Sequence, residues 1–456
     1  MLSLMAEYPE STVLFLVVLV CILQSWFFKK DFFNPPTVYC FSQCITLGIA
    51  YIQIDKAMSD FQLKTWLFWI GALLSFCVGS YLVRLTAKSR GVPVRIAEAT
   101  PPENYSWKMH LLLSFIPFLL FLVGIFGIIK TAGNLLLLTD NPANWMKKDT
   151  DYGIYAALFS SGPLCVLLFG VAAFKKFNPI KHLRWLARFM VFFTIVINFV
   201  GYPSRGTLFL SLGILVIFFN YLRKRISPAL ILVFLSLAAA GFIGVATLRD
   251  QYGGNSLETM ALDAVVDLPY KYVSNNYWNF DYAINPPPDK EYHPHTYGID
   301  FFYGMFEYFR VSGSFRYSYR WDGLFNERIE KVKGLNTASY LWEVYKDLYA
   351  PGIFLLPFFV GLALSVLHLR MCRKGFTPRA IIFYTLFIYI IGWWFFTPAY
   401  KQGVYWVWFA ILFTVTTVSF TRSPKESKKE LKSETPVLDE VSRENEGEQQ
   451  VAAQGE

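Results

Sequence analysis

Arginine is the residue type best placed to do chemistry in this chain. Arg205 stands in the short run Pro203-Ser204-Arg205-Gly206, and Arg249 is followed by Asp250. Arg310, Arg316 and Arg320 are interleaved with Tyr308, Phe309, Phe315, Tyr317, Tyr319 and Trp321. A guanidinium fork binds phosphate oxygens in pairs, and aromatic faces suit stacking on sugar rings. Both residue types also serve as plain interface anchors in membranes. Arg205 is set apart by its neighbour Gly206, which permits close backbone approach. Two of the five histidines, His293 and His295, share the run Glu291-Tyr-His-Pro-His-Thr-Tyr-Gly298. Pro294 holds His293 extended, so the two imidazoles tend to point apart and one of them is structural. Asp149 and Asp151 flank Thr150; this pair suits a divalent cation beside a diphosphate, and equally the cap of a following helix. No phosphate-binding Gly-x-x-x-x-Gly-Lys loop, dinucleotide fingerprint, His-Glu-x-x-His or Cys-x-x-Cys occurs. Nucleotide hydrolysis is thereby disfavoured, and any reaction should draw its energy from the substrate.

These groups need elements to hold them, and composition says which kind. Of 456 residues 54% are hydrophobic and only 16% charged, against about a quarter charged in soluble domains. The apolar residues come in blocks near the ~20 needed for a crossing. They predict an all-α integral membrane protein of about 11 transmembrane helices: 12–28, 36–54, 65–83, 109–129, 152–174, 189–202, 206–222, 227–248, 352–370, 379–397 and 403–420. Residues 189–222 are read as two spans about a turn at 203–206, because one helix of that length would be about 50 Å long.

Charge sets the orientation. No base precedes the first block, whereas Lys29 and Lys30 follow it. That predicts a retained helix with its N-terminus outside, not a cleaved signal. Alternation then puts about 25 of the 42 Lys and Arg in cytoplasmic segments, as the positive-inside bias requires. The net +9 is therefore an orientation signal and not a surface for nucleic acid. Residues 249–351 form one large helical or irregular extracytoplasmic loop, and a connection this long is usually functional. Residues 421–456, rich in Ser, Lys, Glu and Gln, read as a disordered cytoplasmic tail. Five of the six cysteines, including Cys40 and Cys44, lie in spans and read as packing. His110, His182 and His368 fall at cytoplasmic edges and read as helix-end residues. The spans hold almost no ionisable group, which weighs against a proton-coupled transporter.

Four stretches resemble the O-antigen or oligosaccharide repeat-unit polymerases of the Wzy type. They are Ser204-Arg205-Gly206-Thr207, the run Tyr272-Val-Ser-Asn-Asn-Tyr-Trp-Asn-Phe-Asp281, His295-Thr-Tyr-Gly298 with Phe301, Phe302 and Gly304, and Asn336-Thr337-Ala338 leading through Tyr345 and Asp347 to Gly352 and Gly361. In the last, Leu348-Tyr349-Ala350-Pro351 replaces the family's aromatic-Gly spacing. The architectural likeness covers about residues 1–420, while the motifs are short and degenerate.

The resemblance implies a GT-C-like membrane glycosyltransferase in the bacterial cytoplasmic membrane. It would transfer a growing glycan from undecaprenyl pyrophosphate to an acceptor hydroxyl of a new lipid-linked repeat unit, on the outer face, without a cofactor. A flippase and a chain-length regulator are the implied partners, together with the lipid-linked donor and acceptor and the bilayer itself. Positioned cations would stabilise the leaving pyrophosphate, and a base within hydrogen-bond reach would take the acceptor proton. On that reading Arg205, Arg249 and Arg310 hold pyrophosphate. His295, Asp347 and His293 compete for the base, and Tyr277, Trp278, Tyr297, Trp321 and Tyr345 contact sugar. The rival expectations are an O-antigen ligase, a non-catalytic transporter of lipid-linked oligosaccharide, and a metal-dependent relative using Asp149 and Asp151.

Overall fold

The computed structural model describes residues 14, 15, 17, 31–52, 60–89, 104–134, 154–202, 205–223, 226, 227, 230, 233, 236, 268–285, 297, 298, 302, 339–372, 377–396 and 403–420. Within them the chain is all-helical and has no strand. The helices are α1 (Pro35–Ala50), α2 (Leu63–Ser89), α3 (Trp107–Ala132), α4 (Ile154–Phe159), α5 (Gly162–Ala172), α6 (Lys181–Gly201), α7 (Arg205–Leu222), α8 (Leu268–Ile284), α9 (Tyr340–Cys372), α10 (Pro378–Gly392) and α11 (Gly403–Val418).

Local chemistry sets several ends. Asn34 caps α1 by accepting from the Thr37 amide at 3.2 Å, with Pro35 and Pro36 opening the helix. Thr377 does the same for α10, ahead of Pro378. A short polar side chain before a proline satisfies a free amide where proline needs none. α3 stops at Gly133 in the left-handed conformation, φ 75°, the usual glycine stop. α6 ends at Gly201 with Tyr202 extended, and α7 begins at Arg205; of the turn expected at 203–206, Pro203 and Ser204 lie outside the described residues.

Five helical segments are long and apolar enough to cross a membrane: Leu63–Ser89, Trp107–Ala132, Ile154–Ala172, Lys181–Gly201 and Tyr340–Met371. These fit a multi-pass membrane protein. The expected count of about eleven is not confirmed among the described residues. Segments 12–28 and 227–248 lie mostly outside the described residues. α1, α7, α10 and α11 have 16, 18, 15 and 16 residues, below the ~20 of a straight crossing. Hydropathy marks an apolar block, while capping decides how much of it is helix. The tail 421–456 also lies outside the described residues.

Exposed apolar stripes run along the outside. On α2, Leu63, Leu67, Ile70, Leu74, Val78, Leu82 and Leu85 are exposed at helical spacing. In water such a stripe would be a liability; against lipid it is a solvent-matched face. On its buried side α2 meets α9 through small residues. A Cβ on Gly79 would strike the Phe358 carbonyl, and one on Gly361 the Phe76 carbonyl. Ser80 donates to the Gly361 carbonyl at 3.1 Å. Small residues let the two backbones touch, as in membrane helix pairs generally. Cys40 and Cys77 meet across α1 and α2, with 3.4 Å between sulfurs.

α9 is two helices in one. Tyr349 has φ 59° and ψ −160°, outside helical space, two residues before Pro351. A Cβ on Gly352 would sit 2.9 Å from a Val344 methyl and 3.2 Å from the Val344 carbonyl oxygen. Eight residues along a straight helix are about 12 Å apart, so the chain turns sharply at Tyr349. The rings of Tyr345 and Phe354 accordingly converge on Phe68, at 5.8 and 6.1 Å.

The span 249–351, read from sequence as one large loop, contributes two packed pieces to the bundle. α8 lies against α1: Tyr270 donates to the Ala50 carbonyl at 3.2 Å, and Tyr277 to the Gln43 carbonyl at 3.3 Å. It is clamped to α2 by reciprocal caps. Asp281 accepts from the Gln62 amide at 3.1 Å and from the Thr65 hydroxyl, covering the start of α2. Lys64 donates to the Ile284 carbonyl at 2.7 Å, covering the end of α8. A carboxylate at a helix start and a cation at a helix end both oppose the local dipole. The second piece, 340–348, is anchored by the Tyr340 amide on the Trp394 carbonyl at 3.0 Å.

Candidate functional site

The sequence-expected site residues that the structure brings together lie where α9 turns. Asp347 is buried, and its Oδ1 accepts from the Gly298 amide at 2.7 Å. That bond ties a segment forty-nine positions upstream to the last turn before Tyr349. Gly298 has φ 93° and Tyr297 φ 51°, so two consecutive residues are left-handed. Glycine adopts this conformation freely; a tyrosine there is strained and is held only when its surroundings insist. Tyr297 is 82% exposed and so presents its ring outward. Tyr349, the other tyrosine with positive φ, lies two positions after Asp347. The two strained tyrosines thus flank one anchored carboxylate.

Aromatic side chains and two lysines complete this end. Tyr345 is buried, 5.2 Å from the Tyr349 ring and 6.4 Å from Trp342. Lys64 Nζ lies 5.5 Å from the Tyr345 centroid and 5.8 Å from that of Phe68. Lys346 pairs with Glu343 at 3.2 Å. Chemically, the cluster offers a carboxylate to accept a proton or to position the segment that does. It also offers an ammonium for anions and exposed rings for an apolar or sugar face.

The remaining candidates fall elsewhere. Tyr277 and Trp278 are buried on α8. Tyr277 contacts the Thr46 hydroxyl and packs 4.8 Å from Trp69, and Trp278 packs 4.7 Å from Phe61. In this conformation neither ring faces an open site. Arg205 is the first residue of α7, and its side chain lies outside the described residues. His293, His295, Arg249, Arg310, Trp321, Asp149 and Asp151 also lie outside them. Among the described residues, no group of three or more His, Cys, Asp or Glu side chains could hold a metal ion.

The chain matches no family model, no curated protein and no solved structure. Its chemistry has to be read from its own residues.

Three groups make interactions that the sequence does not assign to them. Lys64 is one; its position at the head of an apolar block is the signal the sequence offers for it. Burial raises the Asp281 carboxyl above the ordinary carboxylate range, and bonds from Thr65, the Gln62 amide and Asn285 partly offset this. The third is a buried pair at the opposite end of α9. His368 Nε2 is 2.9 Å from Asp31 Oδ2, and Tyr221 donates to Asp31 Oδ1 at 3.0 Å. Tyr384 donates to the Phe33 carbonyl beside them. No linear signal joins Asp31 to His368, 337 positions apart.

Proposed function

We propose that this chain is a membrane glycosyltransferase. It polymerises undecaprenyl-pyrophosphate-linked oligosaccharide repeat units on the outer face of a bacterial cytoplasmic membrane, with its N-terminus outside and its C-terminus inside. The observation that carries this reading is the Asp347–Gly298 bond, which fastens the His295-Thr-Tyr-Gly298 motif to the Tyr345–Asp347 motif. These two stretches resemble the polymerase family independently and are distant in sequence. A reaction that needs a base, an acceptor and a lipid pyrophosphate in one place requires such a junction.

In the mechanism, Asp347 either takes the acceptor proton or holds the segment bearing His295, which then does so. Arg205, Arg249 and Arg310 stabilise the departing pyrophosphate, and the lipid-linked donor supplies the energy. The test is complementation in a host lacking its own polymerase. Arg205→Ala, Arg249→Ala and Asp347→Asn should each shorten or abolish the polysaccharide ladder while the protein persists in the membrane. A wild-type ladder in all three sinks the assignment. Purified protein given one lipid-linked repeat should make a ladder unaided; transfer only to a different acceptor would make it a ligase.

A second reading has an observation of its own. The buried Asp31–His368 pair joins two ionisable groups at a helix end of the apolar bundle; buried ionisable groups of this kind serve transporters, and this one favours a carrier of lipid-linked oligosaccharide. Movement of that lipid across vesicles without a new glycosidic bond, lost in His368→Gln, would establish the carrier and remove the polymerase.

A further inference from the structure

The junction of α8 with α1, α2, the start of α9 and the end of α10 holds polar groups that the fold leaves without partners. Both side-chain amide atoms of Gln43, the Ser339 hydroxyl, and the indole nitrogens of Trp69, Trp278 and Trp394 are buried with no hydrogen bond among the described residues. These residues form one seam. Tyr277 donates to the Gln43 backbone carbonyl and packs on Trp69. The Ser339 amide donates to the Asn276 carbonyl at 3.4 Å, beside Tyr277 and Trp278. Tyr340, next to Ser339, stacks on Trp394 at 4.4 Å.

Native interiors pair nearly all buried polar groups. Each orphan forfeits the hydrogen bond that water would give it, and six in one seam make the closed arrangement costly. Opening the seam lets each of them find a partner. The complementary ligand must present several donors and acceptors at once: acceptors for three indole N–H groups, and both kinds for an amide and a hydroxyl. It must also lie against flat aromatic rings. A polyhydroxylated ring has that chemistry. An apolar chain or an isolated anion does not.

We infer that this junction around α8 opens to the outer side and takes sugar rings of the lipid-linked oligosaccharide, with Gln43 and Ser339 reading hydroxyl groups and Tyr277 and Trp278 supplying the stacking faces. The ligand class rests on the transferase reading above; the opening does not. Tyr277 and Trp278 are then sugar contacts that the closed conformation conceals.

The test has two arms. In the first, Gln43→Cys is placed in the full-length chain with its six cysteines replaced by alanine. It is treated in membranes with the impermeant reagent sodium 2-sulfonatoethyl methanethiosulfonate, with and without the lipid-linked oligosaccharide extracted from a polymerase-deficient host. Labelling should occur, and the extract should slow it by about tenfold. Absence of labelling overturns the opening. Labelling that the extract leaves unchanged overturns the ligand. If the native chain makes no ladder yet the extract still protects position 43, the polymerase reading falls and the sugar site stands.

The second arm uses Gln43→Leu and Ser339→Ala. Both remove orphaned polar groups, so both should raise the thermal midpoint while lowering ladder output about three- to tenfold. A lowered midpoint with a full ladder would make these residues plain packing and overturn the site.

Discussion

The two ends of α9 follow opposite rules. At the turn around Tyr349, a carboxylate holds a backbone amide, two tyrosines sit in left-handed conformations, and Tyr297 and Tyr349 are exposed. At the other end, His368, Asp31, Tyr221 and Tyr384 are buried; His368 and Tyr221 bond to Asp31, and Tyr221 and Tyr384 both donate to the Phe33 carbonyl. The first end stores strain and presents groups outward. The second gathers four segments about one ionisable pair. Strained backbone clusters at binding and active sites, whereas a buried, satisfied network rigidifies the core around it. The tight seam with α2 at Gly79 and Gly361 lies between them and keeps both ends in register.

The largest effects should come from breaking the buried end. Asp31→Leu or His368→Leu alone leaves its partner buried without its counterpart and should cost about 3–5 kcal/mol. The double variant should cost much less than the sum. Thermal unfolding of the four proteins in detergent measures this, and simple additivity would show that the pair does not act together. Next comes the seam. Gly79→Leu or Gly361→Val forces α2 and α9 apart and should cost about 1–3 kcal/mol or more. Loss of a monodisperse size-exclusion peak would report it.

The clamp between α8 and α2 should give an intermediate effect. Asp281→Ala orphans the Thr65 hydroxyl and the Gln62 amide, at about 1–3 kcal/mol, and Asp281→Asn should cost less. Because burial raises this carboxyl, the folded chain holds its proton more tightly than the unfolded chain does. The stability it contributes is therefore fully present below about pH 4 and is lost as pH rises through the raised folded value. Asp281→Asn should flatten that decline in a series of melts; an unchanged slope would assign it to another group.

The smallest change in stability belongs to the exposed end. Tyr349→Gly relieves a conformation essentially reserved for glycine, a gain of about 1–3 kcal/mol. Greater backbone freedom in the unfolded chain removes about 0.5–1 kcal/mol of it. A slightly higher midpoint with reduced ladder output would show that the strain serves the site. A lower midpoint would show that the tyrosine ring, not the backbone, holds the turn.

Much of the helix pattern was legible in the sequence. Blocks 65–83, 109–129, 152–174 and 189–202 reappear as α2, α3, α4 with α5, and α6. Hydropathy over twenty residues is a local property, and it survives any tertiary arrangement. The cluster at Asp347 was legible in part, because its motif lies beside a recognisable span. α8 was not. Its Tyr, Asn and Trp composition looks like a solvated loop, yet Tyr277 and Asn276 are buried. Polar composition shows that a segment needs hydrogen-bond partners, without showing that α1 and α2 provide them.

By itself the sequence determined a chain of apolar helices with a strong charge bias, because lipid solvation and charge placement act residue by residue. It also determined where helices begin, through Asn34, Thr377 and the prolines that follow them. The tertiary structure alone decided that Asp31 meets His368, that Asp281 and Lys64 exchange caps, and that α9 turns at Tyr349 to meet Gly298. Each of these joins groups tens or hundreds of residues apart. Such pairings follow from which helices pack together, and packing is settled by small residues such as Gly79 and Gly361 that carry no signal until their neighbours are in place.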